Sequence, residues 1–146
     1  MNINRITDRV TYCGVNDRTK SLFENLWELP YGVSYNSYFV QGTNATAIID
    51  ASDSGHAAGF IDHIAELLPD SAPDYLIINH IEPDHSGAIP MLKSKYPNIK
   101  IVGNAKTMDM LKGFYGIEDN LMTVADGDTI DLGDCHLRFI FTPMVH

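Results

Sequence analysis

The chain has little cysteine, little positive charge and no long apolar run, and each shortage excludes a class of protein. Two cysteines in 146 residues are too few for a disulfide scaffold or a thiolate zinc knuckle. Ten basic residues against 19 acidic ones give a net charge of -9, which argues against nucleic acid and anionic membranes as partners. No stretch approaches the roughly 18 apolar residues of a membrane span, and residues 1–8 lack the apolar core of a signal peptide. We therefore expect a soluble protein of the reducing cytoplasm.

Composition and hydrophobic pattern predict one domain of the α/β (α+β) class. Apolar residues make up 45% of the chain and charged residues 20%, as in ordinary globular proteins. Long apolar strands separated by segments with helical spacing are typical of a mixed sheet with flanking helices. Strands are predicted at residues 9–15, 33–40, 45–49, 75–79, 99–103, 121–124, 129–132 and 135–142, and helices at residues 56–68, 88–96 and 105–115.

A dense group of metal-ligating residue types follows the predicted strand 75–79. His80, Glu82, Asp84 and His85 place two imidazoles and two carboxylates within six residues. This mixture suits iron, zinc or manganese better than copper, and the spacing by itself does not choose between iron and zinc. An extended loop, held by Pro83, would turn alternate side chains to one side and can divide its donors between two metal ions. A solvated polar cluster at a strand end is the alternative.

Other histidines and aspartates have simpler explanations. His56 and His63 lie seven residues apart on one predicted helix, where their neighbours indicate a helix surface. His136 alternates with apolar residues, which predicts a histidine on a sheet face. Asp50 and Asp53 follow a strand, and capping of the next helix is favoured over support of a metal-binding histidine.

The motif His-x-Glu-x-Asp-His at residues 80–85, followed by Pro-Met-Val-His at residues 143–146, resembles the flavodiiron proteins. These proteins, also called A-type flavoproteins, are a branch of the metallo-β-lactamase superfamily. Related hydrolases carry His-x-His-x-Asp-His, so the carboxylate of Glu82 is the distinguishing position. The resemblance continues through residues 29–38 and the strand that ends at residues 48–50, and it covers essentially the whole chain.

The resemblance implies a fold, a site and a reaction. The fold would be the N-terminal half of a metallo-β-lactamase-like αββα sandwich. His80, Glu82 and His146 match ligands of one iron, and Asp84 and His85 match ligands of a second. The implied reaction is reduction of dioxygen to water, of nitric oxide to nitrous oxide, or of both, with electrons from FMN. An electron donor such as rubredoxin or a reduced flavin cofactor is implied as a partner.

The resemblance also implies that the chain is incomplete. The family needs a bridging aspartate and a further histidine beyond His146, and then a flavodoxin-like FMN domain. Residues 1–146 are therefore expected to be a single partial metallo-β-lactamase-like domain that does not turn over alone. The complete protein would be a homo-oligomer, or this chain would pair with one that carries the missing half. A zinc-dependent hydrolase, which Glu82 argues against, and a non-catalytic half-domain are the alternatives.

The FMN contacts of this chain are left open by the sequence. Trp27 and Tyr31 are expected to be core or interface aromatics. The resemblance adds a second interpretation, in which they lie near the mouth of the metal pocket or near a flavin from a partner subunit.

Overall fold

The computed structural model describes residues 3–143 and shows thirteen short strands and four α-helices in that range. The strands are β1 (Asn4–Arg5), β2 (Val10–Tyr12), β3 (Val15–Asp17), β4 (Leu22–Phe23), β5 (Trp27–Glu28), β6 (Val33–Tyr35), β7 (Tyr38–Gln41), β8 (Thr46–Ile49), β9 (Tyr75–Ile77), β10 (Lys100–Gly103), β11 (Leu121–Thr123), β12 (Thr129–Asp131) and β13 (His136–Arg138). The helices are α1 (Ala57–Leu67), α2 (Pro83–Ser86), α3 (Ile89–Lys95) and α4 (Ala105–Tyr115), and a 3-10 turn covers Ser54–His56.

Seven strands form one mixed sheet in the order β1-β2-β7-β8-β9-β10-β11. Strands β8, β9, β10 and β11 pair in parallel. Strands β1, β2, β7 and β8 pair antiparallel. Helix α1 connects β8 to its parallel neighbour β9, and Ile49 lies opposite Ile77. Because parallel strands end at the same edge of the sheet, the loops that leave β8 and β9 begin side by side. This edge carries the candidate site.

Neighbouring residues of the central strands pack into two different cores. The first core contains one residue of each central strand and the inner faces of the three longer helices, including Phe39, Ile48, Leu76, Ile101, Phe60, Leu92 and Leu111. The second contains an adjacent residue of each strand and the β12–β13 hairpin region, including Val40, Ala47, Ile77, Val102, Ile130 and Leu132. This alternation is the two-residue period of a strand, with apolar side chains on both faces because both faces are covered. The predicted mixed sheet with flanking helices is confirmed.

The helices begin and end close to the predicted residues. Asn104 caps α4 by accepting a hydrogen bond from the Thr107 N–H, and Gly116 ends it in the left-handed conformation, with φ of 66°. The first predicted helix begins as a 3-10 turn and continues as α1. Within the described residues the longest helices have 11 residues, and none is long and apolar enough to cross a membrane.

Two predicted strands are broken in the structure. Residues 9–15 divide into β2 and β3, and residues 33–40 divide into β6 and β7, which belong to different sheets. The cause is a shared bend, in which the Cys13 N–H donates to the Ser37 carbonyl at 3.0 Å. A Cβ on Gly14 would lie 2.3 Å from the Tyr35 carbonyl oxygen, so the two chains approach too closely there for any side chain. Both strands leave the main sheet together at this bend.

A small hairpin and the last predicted strand also differ from expectation. Strands β4 and β5 were not predicted, and their turn places Glu24 and Asn25 at positive φ. The predicted strand at 135–142 extends only over β13. Beyond β13 the chain bonds to a turn instead of a strand: the Phe139 N–H donates to the Asp128 carbonyl at 2.9 Å, and the Phe141 N–H donates to Asp126 Oδ1 at 2.8 Å.

Candidate metal centre

Three of the predicted ligands converge at the loop that follows β9. His80, Glu82 and Asp84 each offer one donor atom, and the three atoms lie within 4.8 Å of one another. His80 Nε2 is 3.5 Å from Glu82 Oε2 and 3.7 Å from Asp84 Oδ1. The three side chains are half-buried, with exposed fractions of 28%, 43% and 25%. One imidazole and two carboxylates at this spacing offer the mixed nitrogen and oxygen donors that a cation site uses.

The backbone brings these side chains together by a different route from the one predicted. Glu82 is extended, with φ of -64° and ψ of 153°, but Pro83 begins the one-turn helix α2. The prediction that Pro83 holds the whole segment extended was wrong. Proline restricts the residue before it and is well suited to the first helical position, where no N–H is needed. The donors therefore converge across a corner between an extended residue and a helical turn.

His85 supplies a test of whether the loop fits a metal ion. Its Nδ1 atom is buried and has no hydrogen-bond partner among the described residues. Its ring lies 5.5 Å from the His80 ring, and its Nε2 is 3.9 Å from Asp84 Oδ2. Since nearly all buried polar atoms have a partner, an unpaired buried nitrogen on a ring that lies beside the Asp84 carboxylate is consistent with a metal-ligating position. The residues present fit a metal site.

Asp50 holds the start of the loop in place. It follows β8 in the left-handed conformation, with φ of 56°, and its Oδ1 accepts the N–H groups of Asn79 at 2.8 Å and His80 at 3.0 Å. Burial raises the pKa of this carboxyl group, and the two backbone N–H groups oppose that shift. The prediction of a helix cap was wrong for Asp50. It was correct for Asp53, which accepts a hydrogen bond from the Gly55 N–H at the 3-10 turn.

A buried hydroxyl holds the middle of the loop. Ser86 is fully buried, and its Oγ lies 2.6 Å from the Ile81 carbonyl oxygen, 3.0 Å from the Glu82 carbonyl oxygen and 2.7 Å from the Tyr115 hydroxyl. Sequence reasoning missed both hydroxyls. Ser86 lies inside the motif but is not a metal-ligand type, and no local pattern connects it with Tyr115, 29 residues away.

Comparison with known proteins decides which family this loop belongs to. Residues 33–146 match the family described as ODP family beta lactamase. A flavo-diiron protein of Clostridium acetobutylicum is 30% identical over 144 residues, which cover 97% of this chain and 36% of that protein. An anaerobic nitric oxide reductase flavorubredoxin of Pectobacterium atrosepticum is 36% identical over 117 residues, which cover 79% of this chain and 23% of that protein. The chain belongs to the flavodiiron protein family.

Solved structures agree with that family and with the fold. Rubredoxin oxygen:oxidoreductase from Desulfovibrio gigas superposes with a TM-score of 0.90 at 27% identity. The match covers 99% of this chain and 36% of the Desulfovibrio gigas chain. A subclass B3 metallo-β-lactamase of Bradyrhizobium japonicum superposes with a TM-score of 0.70 at 19% identity, which shows a shared fold alone. The expected metallo-β-lactamase-like fold is confirmed. This flavodiiron family member spans about a third or less of the length of the curated relatives it matches.

The remaining candidates of this flavodiiron family member have other environments. His146 lies outside the described residues. Trp27 and Tyr31 are 63% and 85% exposed, so neither lies in the core of this chain, and the interface position expected as the alternative stays a prediction. His136 lies exposed on β13, as expected for a sheet face.

His56 and His63, which were predicted on a helix surface, are both half-buried and hydrogen-bonded. His63 Nδ1 lies 3.0 Å from the Cys13 carbonyl oxygen, and His56 Nε2 lies 3.0 Å from Asp17 Oδ2. The ring of the buried Tyr35 lies 5.5 Å from the His56 ring and 6.5 Å from the His85 ring. Tyr35 therefore separates the pair of His56 and Asp17 from the candidate metal centre.

The Asp17 carboxylate is expected to make the folded chain less stable in acid. Hydrogen bonds from the Thr19 hydroxyl and N–H, and then from His56, hold the pKa of the Asp17 carboxyl well below its ordinary value of 3.8. A lowered pKa in the folded state means that the unfolded chain binds the proton first, so the stabilisation is present above about pH 4 and is lost as the pH falls further. Asp17→Asn should reduce the fall in melting temperature between pH 5 and pH 2.5, measured by circular dichroism. The matched control is Asp62→Asn on the exposed face of α1, and an equal reduction in both variants would contradict the assignment.

Proposed function

We propose that this chain supplies metal ligands of a flavodiiron oxidoreductase that reduces dioxygen to water, nitric oxide to nitrous oxide, or both. The supporting observation is the position of Glu82, whose carboxylate lies among the converging donors where related hydrolases are expected to have a histidine. The names of two relatives, a nitric oxide reductase flavorubredoxin and a rubredoxin oxygen:oxidoreductase, support the same reaction class. Electrons would come from FMN, and rubredoxin or a reduced flavin is the proposed donor.

The proposed ligands divide between two iron ions. His80, Glu82 and His146 would hold one, and Asp84 and His85 would hold the other. When bound, the irons would supply electrons to the gas and FMN would restore them. Glu82 contributes a hard anionic donor, which favours the oxidised metal more than a neutral imidazole does.

Neighbouring protein groups direct the donor side chains. The carboxylates of Glu82 and Asp84 face His80 Nε2 at 3.5 and 3.7 Å, so this nitrogen is directed into the donor cluster. Asp50 holds the backbone N–H of His80 and so fixes where that residue starts. The acidic composition and the two cysteines support a cytoplasmic location for the protein. A homo-oligomer, or pairing with a second chain, is the proposed assembly.

The metal content of the chain tests this function. The chain and its Glu82→His variant would be expressed in medium that contains both iron and zinc, purified without oxygen, and analysed by mass spectrometry of the metals. We expect iron in the chain and a ratio of iron to zinc that falls by about tenfold or more in the variant, because an imidazole replaces a hard oxygen donor.

Two results would overturn the proposal in different directions. Zinc without iron, together with ester or lactam hydrolysis, would indicate the metal-dependent hydrolase. Neither metal in the chain, even after anaerobic reconstitution, would indicate a non-catalytic half-domain.

A further inference from the structure

The hydroxyl of the buried Ser86 and that of the partly buried Tyr115 lie beneath the corner of the candidate metal-binding loop. The loop turns at Glu82, where extended backbone meets α2, and the carbonyl oxygens of Ile81 and Glu82 lie on the inner side of this corner. Ser86 Oγ reaches both carbonyls from the last residue of α2, and Tyr115 reaches Ser86 from the last residue of α4. The pair connects a helix of the first core to the loop.

The acceptors around Ser86 decide which of the two hydroxyls donates to the other. Both carbonyl oxygens only accept hydrogen bonds, so the single hydrogen of the Ser86 hydroxyl is used on them, with the shorter contact to Ile81 at 2.6 Å. The Tyr115 hydroxyl therefore donates to Ser86 Oγ across 2.7 Å. A hydroxyl that receives a hydrogen bond is a stronger donor in turn, because the bonds polarise one another. Tyr115 thus strengthens the contact that closes the corner.

The corner decides where the Glu82 carboxylate points. Its carbonyl accepts from the His85 N–H at 2.9 Å and from Ser86 Oγ at 3.0 Å, so the ψ angle of Glu82 is held at 153°. The same contacts hold α2, which carries Asp84 and His85. The other end of the connection is rigid, because α4 packs into the first core through Met108 and Leu111.

We propose that Tyr115 is a positioning residue for the metal centre, acting through Ser86 on the corner that directs Glu82. The inference rests on the proposed function, since it concerns the same ligands, but it adds a residue outside the motif. Partners that orient metal ligands affect metal affinity by about 10- to 100-fold. Removal of the Tyr115 hydroxyl should have an effect at the lower end of this range, because Ser86 keeps its own bonds to the loop.

Metal titration of the full chain tests the proposal. Tyr115→Phe should weaken the binding of ferrous iron, added without oxygen, by about tenfold, and should alter the visible absorption of the cobalt-substituted chain. Tyr96→Phe is the matched control, because Tyr96 is also a tyrosine of the first core region at the end of a helix and its hydroxyl is not a partner of the loop among the described contacts. Ser86→Ala should weaken binding as well, and adding Tyr115→Phe to it should cause no further loss.

A second measurement keeps the test independent of the metal. Without metal, hydrogen exchange of the His85 amide, which bonds to the Glu82 carbonyl, should be faster in Tyr115→Phe and unchanged in Tyr96→Phe. If the wild-type chain bound no metal, the proposed function would fail while this exchange still tested the hydroxyl pair. Unchanged exchange and affinity in Tyr115→Phe, equal effects of the two tyrosine variants, or additive effects with Ser86→Ala would each overturn the role of Tyr115.

Discussion

Glutamine in place of Glu82 is expected to weaken the binding of ferrous iron by about 100-fold or more while the fold is retained. A ligand has a larger effect than the groups that orient it, and removal of those groups alone reduces metal affinity by about 10- to 100-fold. Glutamine keeps the length of the side chain and loses the charge. Glu82 and Asp84 both direct a carboxylate oxygen at His80 Nε2, so removal of one charge reduces repulsion between them when no metal is bound. The melting temperature of the metal-free variant should therefore be unchanged or slightly higher.

Opposite effects on affinity and stability distinguish this prediction from general damage to the fold. Affinity would be measured by anaerobic titration, and stability by thermal unfolding with and without iron. The matched control is Glu66→Gln, which makes the same change on the exposed face of α1. Equal loss of affinity in both variants would indicate that overall negative charge attracts the metal. A loss of melting temperature in metal-free Glu82→Gln would show that this side chain stabilises the fold.

Alanine in place of Asp50 is expected to cause the largest loss of stability, about 2–4 kcal/mol in the free energy of unfolding. Two backbone N–H groups lose a charged acceptor at 2.8 and 3.0 Å. The new residue must also keep a φ of 56°, which aspartate and asparagine tolerate better than alanine. Iron affinity should fall as well, because the position of His80 depends on its N–H bond to Asp50. Urea unfolding and iron titration of the same variant measure both effects.

Two further substitutions separate the parts of this effect. Asp50→Asn keeps an acceptor oxygen and tolerates the positive φ, so it should lose less than half as much stability as alanine. Asp53→Ala removes the cap of the 3-10 turn next to the site and should cost about 1 kcal/mol. If Asp50→Ala were no worse than Asp53→Ala, the carboxylate of Asp50 would not hold the loop.

Local residue patterns predicted most helices and strands. Contacts between distant parts of the chain are the reason why some predicted bounds were wrong. The helix of residues 105–115 agrees with the structure because Asn104 and Gly116 mark its ends within the sequence itself. The strand at 33–40 was predicted whole because its valine, tyrosine and phenylalanine residues favour a strand. The break between β6 and β7 comes from the close approach of Gly14, which lies in another part of the chain. The strand propensity of a residue does not depend on such a distant contact, so it could not predict the break.

The candidate site shows the same division between ligands and the groups that hold them. His80, Glu82, Asp84 and His85 could be predicted because their residue types and spacing are themselves the chemical signal. Asp50 was recognised as a polar residue at a strand end, but its bonds to the loop depend on the parallel pairing of β8 with β9. Tyr115 could not be recognised, because only the packing of α4 brings its hydroxyl to Ser86.

The parallel pairing of β8 with β9 also sets the order in which the molecule assembles. The β7–β8 hairpin closes over four residues, whereas β9 can join β8 only after the intervening chain, including α1, has folded back over the sheet. Closing the longer loop costs more chain entropy, so this contact forms after the hairpin. The carboxylate of Asp50 meets the amides of Asn79 and His80 only then. Metal capture by the proposed ligands would thus be a late event of folding. Bound iron should therefore slow unfolding of the chain more than it speeds the first steps of folding.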